Sequence, residues 1–423
     1  MARAEWSALA GVLLRGALGA LGPGFIKFGQ FLSVRPDLVP PGVLAELERL
    51  QDRAPPVPWE AVRSTLEHEL GGPVGSLFRE IEPAPVATAS LAQVHRAVLP
   101  EGARVAVKVL RPGVEGAVER NLALLGPVLR ALCRLPPLRG RVEVGPLWRE
   151  VVSAARAELD LRGEAETAQA MARNFRGYPG IRIPRVFWGR TTRRVLTTEY
   201  IRGLKISDPR VRQIPSYRDL AERGARAFFK QVLEDGLFHA DLHPANLLIT
   251  PEGEIGYVDF GIRGRLAPPE RRAVLGALAG LLARDATLAV RHLTRLGVRI
   301  PPESLEGFAR DVGAVMDRAL APRLADVPAG RVGAGILRAA RRHGVRFPHR
   351  HALLVKALVT IEGSARLLHP GFSFEGAVRA YLADRLRAEA TPGMVLEALW
   401  RGAALVGLGA ITAAGNPGRG RSG

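Results

Sequence analysis

The stretch Gly236–Gly261, Gly-Leu-Phe-His-Ala-Asp-Leu-His-Pro-Ala-Asn-Leu-Leu-Ile-Thr-Pro-Glu-Gly-Glu-Ile-Gly-Tyr-Val-Asp-Phe-Gly, constrains this chain more tightly than any other. Two short apolar runs, Leu247–Thr250 and Ile255–Val258, flank the turn Pro251-Glu252-Gly253-Glu254 and read as a β-hairpin. Asp241 and Asn246 lie in the loop before it and Asp259 follows it at once, so closing the hairpin brings the three together. Phosphoryl transfer wants such a set. One carboxylate orients the incoming group, while an amide and a second carboxylate hold magnesium on the phosphates. Singly, these are ordinary turn and capping residues. The joint spacing, Asp-(x)4-Asn followed by Asp-Phe-Gly, carries the reading.

Length and composition set the frame. A chain of 423 residues, 47% hydrophobic, makes two or three domain-sized units with sizeable cores. Its single cysteine, Cys133, excludes an intrachain disulfide and fits a reducing compartment, and no Cys/His spacing points to structural zinc. With 60 basic against 41 acidic residues the net charge is +19, which favours partners that carry phosphate, anionic lipid or nucleic acid, without choosing between them. The basic residues are nearly all arginine. Only Lys27, Lys108, Lys205, Lys230 and Lys356 are lysines, and in such a chain a lysine marks a place that wants a compact ammonium.

In chain order, residues 7–22 are apolar behind Arg3, as in a secretory leader or an amphipathic helix. Arg15 interrupts the run and no clean cleavage site follows, so the segment reads as helix. Lys27, Gly29 and Gln30 then place polar or small groups in an apolar segment; on spacing alone Lys27 is a solvated helix residue and Gly29 a packing contact. Helices are expected over about Gly42–Asp52 and Trp59–Leu70, either side of the stiff Ala54-Pro-Pro-Val-Pro linker. From Pro85 the pattern changes to strand, small-residue loop, strand, turn and strand. Lys108 in Val105-Ala-Val-Lys resembles a lysine aimed at nucleotide phosphates, yet alone it is equally an edge-strand lysine. The loop before it carries Ala87, Ala89 and Ser90 in place of glycines, which makes it stiffer.

Residues 145–175 have one helical periodicity through Leu147, Val151, Ala155, Leu159 and Ala165. Asp160 and Glu164 are four apart and repel unless a cation lies near; Lys108, or Arg156 and Arg162, supplies it. Ile181–Trp188 and Arg194–Ile201 read as a strand pair, and Tyr217–Glu234 as one amphipathic helix ending at Asp235-Gly236. After Gly261 helices follow quickly, with turns near Gly297, Pro301-Pro302 and Gly344. Ala267-Pro-Pro-Glu lies too close to Gly261 to bracket an activation loop. The uncharged, glycine-rich run Gly402–Gly418 is shorter than the roughly 20 apolar residues of a spanning helix and reads as a surface anchor or packing tail, with a short span as the alternative.

These residues together resemble the UbiB-like, or aarF-domain, atypical kinase family over about residues 20–390. Lys27-Phe-Gly-Gln is similar to its KxGQ element, Ala87-Thr-Ala-Ser-Leu-Ala-Gln to its alanine-rich loop and Glu158-Leu-Asp to its ExD element. His239-Ala-Asp-Leu-His-Pro-Ala-Asn and Asp259-Phe-Gly complete the set. The resemblance implies an α+β, atypical protein-kinase-like two-lobed fold with a helical N-terminal extension and a helix-rich C-lobe. By it, Lys108 pairs with Glu164, Asp241 is the base or orienting carboxylate, and Asn246 and Asp259 bind Mg2+. Ala87, Ala89, Ser90 and Lys108 border ATP or ADP, and Glu199 to Ile201 form the linker that reads adenine. Lys27, Gln30, Glu158 and Asp160 gate the site. Where the family carries asparagine three residues after its glutamate, this chain has Thr167.

The expected organisation is a helical extension over residues 1–82, an N-lobe over 83–202, a C-lobe over 203–395 and an apolar tail over 396–423. The expected function is a magnesium-dependent ATPase or small-molecule kinase in isoprenoid quinone or membrane-lipid metabolism, cytoplasmic and peripheral to the inner face of a membrane. Nucleotide and anionic lipid, or an isoprenoid or phenolic small molecule, are the expected partners. A nucleotide-gated scaffold is the alternative. A conventional protein kinase ranks third, and nucleic-acid binding, resting on charge alone, fourth.

Overall fold

In the N-terminal extension apolar residues recur three and four apart between proline and glycine breaks, so it folds as helices. In the computed structural model, which describes residues 2–33, 39–47, 49–50, 54–132, 144–319 and 329–389, these are α1 (Ala2–Leu21), α2 (Pro23–Ser33), α3 (Pro41–Leu47) and α4 (Trp59–Leu70). The last matches its expected bounds. Two expectations change: the Lys27 segment has a helix of its own, set off from α1 by Gly22 at φ 109°, and the helix expected over Gly42–Asp52 stops at Leu47. Position 52, Cys133 and the 396–423 tail lie outside the described residues.

After the short α5 (Val74–Leu77) come β1 (Glu80–Ile81), β2 (Ala87–Thr88), β3 (Ala92–Val98) and β4 (Arg104–Leu110). Helices α6 (Val114–Leu132), α7 (Val144–Ala157) and α8 (Leu161–Asn174) follow, then β5 (Ile181–Arg182) and β6 (Val195–Glu199). The first sheet is antiparallel, in the order β1-β3-β4-β6, with β2 also on β3. Lys108 therefore stands on an interior strand. Alternation along β4 buries Val105, Val107 and Val109 in a core with Leu66 of α4, Phe78 and Leu99, and turns Ala106 and Lys108 to the other face.

The single helix expected over 145–175 is two. Leu159 and Leu161 are both buried, so the apolar pattern runs through the junction. Asp160, however, leaves helical geometry (φ −124°, ψ 90°) and caps α8 by accepting from the Arg162 and Gly163 N–H groups. Nor do Ile181–Trp188 and Arg194–Ile201 pair as strands. Pro184 offers no N–H to a ladder, and β5 runs parallel to a later strand, leaving one bridge between Val186 and Thr198.

The C-lobe continues with β7 (Leu204–Lys205), α9 (Tyr217–Phe229), β8 (Leu237–His239), β9 (Leu247–Ile249), β10 (Ile255–Tyr257) and β11 (Arg263–Arg265). Helices α10 (Pro268–Leu282), α11 (Ala286–Arg295), α12 (Leu305–Ala319), α13 (Ala329–Arg342) and α14 (His349–Leu368) complete it. The expected hairpin is β9–β10, inside the sheet β5-β10-β9-β7, while β8 pairs with β11. The helix expected to reach Glu234 ends at Phe229 and widens into a π-turn, Lys230–Asp235, that holds the fully buried Gln231. The chain divides into residues 1–374 and a second unit from Glu375, whose described part lies in α15 (Phe374–Glu389).

Candidate active site

Lys108 donates to both oxygens of Glu164, at 2.9 and 2.8 Å, and lies 3.6 Å from Asp259 Oδ1. The cation near Glu164 is thus Lys108, since Arg156 is held by Glu119 and Arg162 stands over the Trp188 ring. Burial works against the charge on Lys108, but Asp259 and Glu164 outweigh it and hold the ammonium above its ordinary range. Burial likewise pushes Asp259 up, and Lys108 together with the Gly261 N–H reverses this and holds the carboxylate well below its usual range. Burial pushes Glu164 up as well, against the pull of Lys108. The two partners point opposite ways, and the geometry favours a charged lysine, because one cation serves two carboxylates. Thr167 bonds back to the Gly163 carbonyl at 2.8 Å and stays within its own helix.

His239 joins the two halves of the Gly236–Gly261 stretch. Its Nε2 meets the Asp259 carbonyl and its Nδ1 accepts from the Asp241 N–H at 3.0 Å, a neutral ring used at both nitrogens. Burial holds it below the ordinary histidine value. Gln231 accepts from the His239 N–H at 2.9 Å and donates to the Tyr257 hydroxyl at 3.2 Å, fixing the strand from behind. Asn246 Nδ2 donates to the Asp241 carbonyl at 3.0 Å, and the Asn246 carbonyl accepts from the Val258 N–H at 3.2 Å. Asp241, Asn246 and Asp259 are therefore brought together, as the hairpin requires.

The alanine loop is stapled. Ala89 N–H donates to the Ala92 carbonyl at 2.8 Å, and Arg111 donates to the Ala89 carbonyl at 2.8 Å and to the Ala54 carbonyl of the linker. Ala87 belongs to β2 and Ser90 is buried. In the linker to the C-lobe, Glu199 and Tyr200 donate their N–H groups to Arg185 and Arg104 carbonyls. The Ile201 N–H has no backbone acceptor among the described residues. The Glu199 side chain is held by Arg182 at 2.5 Å.

Across the site, Lys27 of α2 reaches Glu158 at 2.5 Å, so the extension and the α7–α8 junction meet. Asp160 is spent on the cap and Gln30 is half-buried on α2. The extension is no loose flap. Phe31 sits in the core formed by Leu91, Leu110, Val118, Val151 and Ala165, and a Cβ at Gly29 would fall 2.3 Å from Leu50 Cδ1, so that glycine is a packing contact. Asn121 of α6 ties the junction of α1 and α2, accepting from the Gly24 N–H at 3.0 Å.

No group of three or more His, Cys, Asp or Glu side chains suited to a metal exists among the described residues. Magnesium does not need one, since it is usually held by one or two carboxylates plus substrate phosphates. Asn246 commits its amide nitrogen to Asp241 and so keeps the amide oxygen for a cation, and Asp259, ionised, is 44% exposed. Both fit a magnesium that arrives with a nucleotide.

One site residue was not singled out by its sequence motif. Lys356 of α14 lies 3.0 Å from Asp241 Oδ1. The scarcity of lysine was the available signal, because four of the five lysines here meet carboxylates: Lys27, Lys108, Lys230 and Lys356.

Residues 49–293 match the family model of the ABC1 atypical kinase-like domain, and residues 312–373 that of the UbiB helical domain. A Marinobacter nauticus protein named "Probable protein kinase UbiB" is 36% identical over 396 residues, which span 91% of this chain and 72% of that one. The protein sll1770 of Synechocystis sp. is 33% identical over 405 residues, 94% of this chain and 69% of its own. A solved structure of Rv3197 from Mycobacterium tuberculosis, in complex with erythromycin, is similar at a TM-score of 0.53 and 24% identity, covering 88% of this chain and 98% of that one. That likeness concerns the fold. The α+β kinase-like architecture with its helix-rich C-terminal region holds as the sequence implied.

Proposed function

The chain belongs to the ABC1 atypical kinase-like family, and from that premise we propose a nucleotide-binding phosphotransferase, acting as an ATPase or a small-molecule kinase. The observation that carries the reading is the convergence of Lys108, Glu164 and Asp259 beside the loop of Asp241 and Asn246. Lys108 would meet the nucleotide phosphates, the Ile201 N–H the base, and Ala87, Ala89 and Ser90 the triphosphate edge. Asn246 and Asp259 would hold magnesium, which supplies charge neutralisation on phosphate oxygens. Asp241 orients the acceptor hydroxyl, or water, and takes its proton. The acceptor oxygen bonds to the γ-phosphorus while the bond to the ADP oxygen breaks, and ADP leaves with that electron pair.

Between Gly261 and Pro268 there is room only for β11, and Lys27 closes on Glu158 across the site. Both features favour an acceptor smaller than a protein, and the family's association favours isoprenoid quinone or membrane-lipid metabolism. No helix among the described residues is long and apolar enough to cross a membrane. Helix α1 exposes Leu9, Val12, Leu13 and Leu21, with Arg15 as the only charged residue between Glu5 and Lys27. On a chain of net charge +19 that face suits peripheral docking on an anionic bilayer.

Magnesium-dependent ADP or ATP binding, followed by titration calorimetry, tests the nucleotide part. Asp259→Asn is expected to weaken it about tenfold or more; equal binding by the variant overturns the reading. The stapled alanine loop and the Lys27–Glu158 contact favour a second reading, a nucleotide-gated scaffold that does not turn over. Phosphate release with and without anionic vesicles separates the two, and silence in both conditions selects the scaffold.

A further inference from the structure

We infer that Lys356 on α14 is a positioning residue for Asp241, an inference that rests on the phosphotransfer reading above. The ammonium lies 3.0 Å from Asp241 Oδ1 and is the one cation within ion-pair distance of this carboxylate among the described residues. Glu164, with both oxygens taken by Lys108, is 6% exposed. Asp241 is oriented by one cation while its side chain, 27% exposed, can still meet substrate.

The catalytic loop supplies no cation of its own for this task. From Asp241 to Asn246 it reads Leu242-His243-Pro244-Ala245, and the His243 ring accepts from the Ala245 N–H at 3.3 Å as the cap of a short turn. The charge comes instead from a helix more than a hundred residues later. That helix is fixed to the same loop: Ser364 Oγ donates to the Leu242 carbonyl at 2.7 Å, and both residues are buried. Ser364 lies eight residues along α14 from Lys356, about 80° round the helix, so one helix holds the loop by its backbone and the acid by its side chain. Lysine suits this place in a chain that otherwise uses arginine. A compact ammonium on a flexible stem can reach the carboxylate where a planar guanidinium fork would impose its own geometry.

In the transfer step the Asp241 carboxylate receives the acceptor proton, the acceptor oxygen bonds to phosphorus, and the bond to the leaving ADP oxygen breaks. Lys356 takes no part in the bond changes. Its part is to fix the rotamer of Asp241 and to offset the charge beside incoming phosphate.

The test is a double-mutant cycle on the full chain with Lys356→Met, Asp241→Asn and the pair, reading phosphate release from Mg-ATP, the ADP dissociation constant and Tm. Lys356→Met is expected to lower kcat about tenfold with ADP affinity within about twofold, and to add less than about twofold on the Asp241→Asn background. Unchanged kcat overturns the inference, as does full additivity with Asp241→Asn or a loss of kcat that merely follows losses of Tm and nucleotide affinity. Should Lys356→Met not fold, Lys356→Gln enters the same cycle. A wild type without turnover overturns both readings; a wild type that turns over no faster than Lys356→Met overturns this one alone.

Discussion

Lys108 and Lys356 each hold a carboxylate of the site, one in each lobe, and they hold it differently. Lys108 spans both oxygens of Glu164, whose side chain is 6% exposed, and leans on Asp259 as well. Lys356 lies 3.0 Å from Asp241 Oδ1, and the two side chains are 26% and 27% exposed. The two lysines are similarly exposed, at 21% and 26%, and it is the carboxylates that differ. Glu164 has left water and gives both oxygens to Lys108, so that contact fixes how β4 meets α8. Asp241 keeps contact with solvent, which suits a group that must meet substrate. Burial of the carboxylate, more than charge, separates an architectural ion pair from a chemical one.

The most severe way to break this comparison is Lys108→Met. It leaves Glu164 buried beside Asp259 without a cation, and the expected cost is about 3 kcal/mol or more of unfolding free energy by denaturant titration. Lys356→Met, at a pair about a quarter exposed, is expected to cost less, about 1 kcal/mol, in the same titration. Equal losses would erase the distinction.

Acid loosens the Asp241 side. Burial holds His239 and His95 below the ordinary histidine value of 6.5, so the unfolded chain binds protons that the folded chain refuses. Their contribution is complete above about pH 6.5 and falls as pH drops, by up to about 1.4 kcal/mol per histidine per pH unit. Asp259, depressed in the folded state, contributes above the ordinary carboxylate value and is lost only in strong acid, outside this window. Tm should fall between pH 7 and pH 5, and His95→Gln should leave the share that belongs to His239; a flat Tm contradicts both. The Lys108 pair, with a raised lysine, is present at neutral pH and lost only in strong alkali.

The smallest effect is expected at a third lysine. Lys27→Ala removes the contact with Glu158, a pair 10% and 23% exposed, and should change ADP affinity by about two- to fivefold with stability within about 1 kcal/mol. Unchanged affinity and activity would make the Lys27–Glu158 contact a packing contact alone.

Much of this site was legible because its geometry is local. The β9–β10 hairpin follows from two apolar runs and a Pro-Glu-Gly turn, and α4 from its proline start and glycine stop. The break between α7 and α8 was not legible. Leu159 and Leu161 continue the apolar pattern, and only the Asp160 cap, with Glu158 drawn to Lys27, shows why the helix ends there. Likewise β5 looked like a partner for β6 until Pro184 and the parallel register with β10 sent it elsewhere.

The sequence by itself determined which chemistry this chain can hold: an Asp-(x)4-Asn loop, a hairpin, Asp-Phe-Gly and a lysine on a strand whose alternation sets its face. It also determined, through family likeness, that Lys108 should find Glu164. Only the tertiary structure decided that Asp160 is spent on a helix end, that His239 ties Asp241 to Asp259, and that Asp241 meets Lys356. These are choices among many charged groups far apart in the chain. They depend on which helix face packs against which loop, and periodicity fixes a face without naming its neighbour.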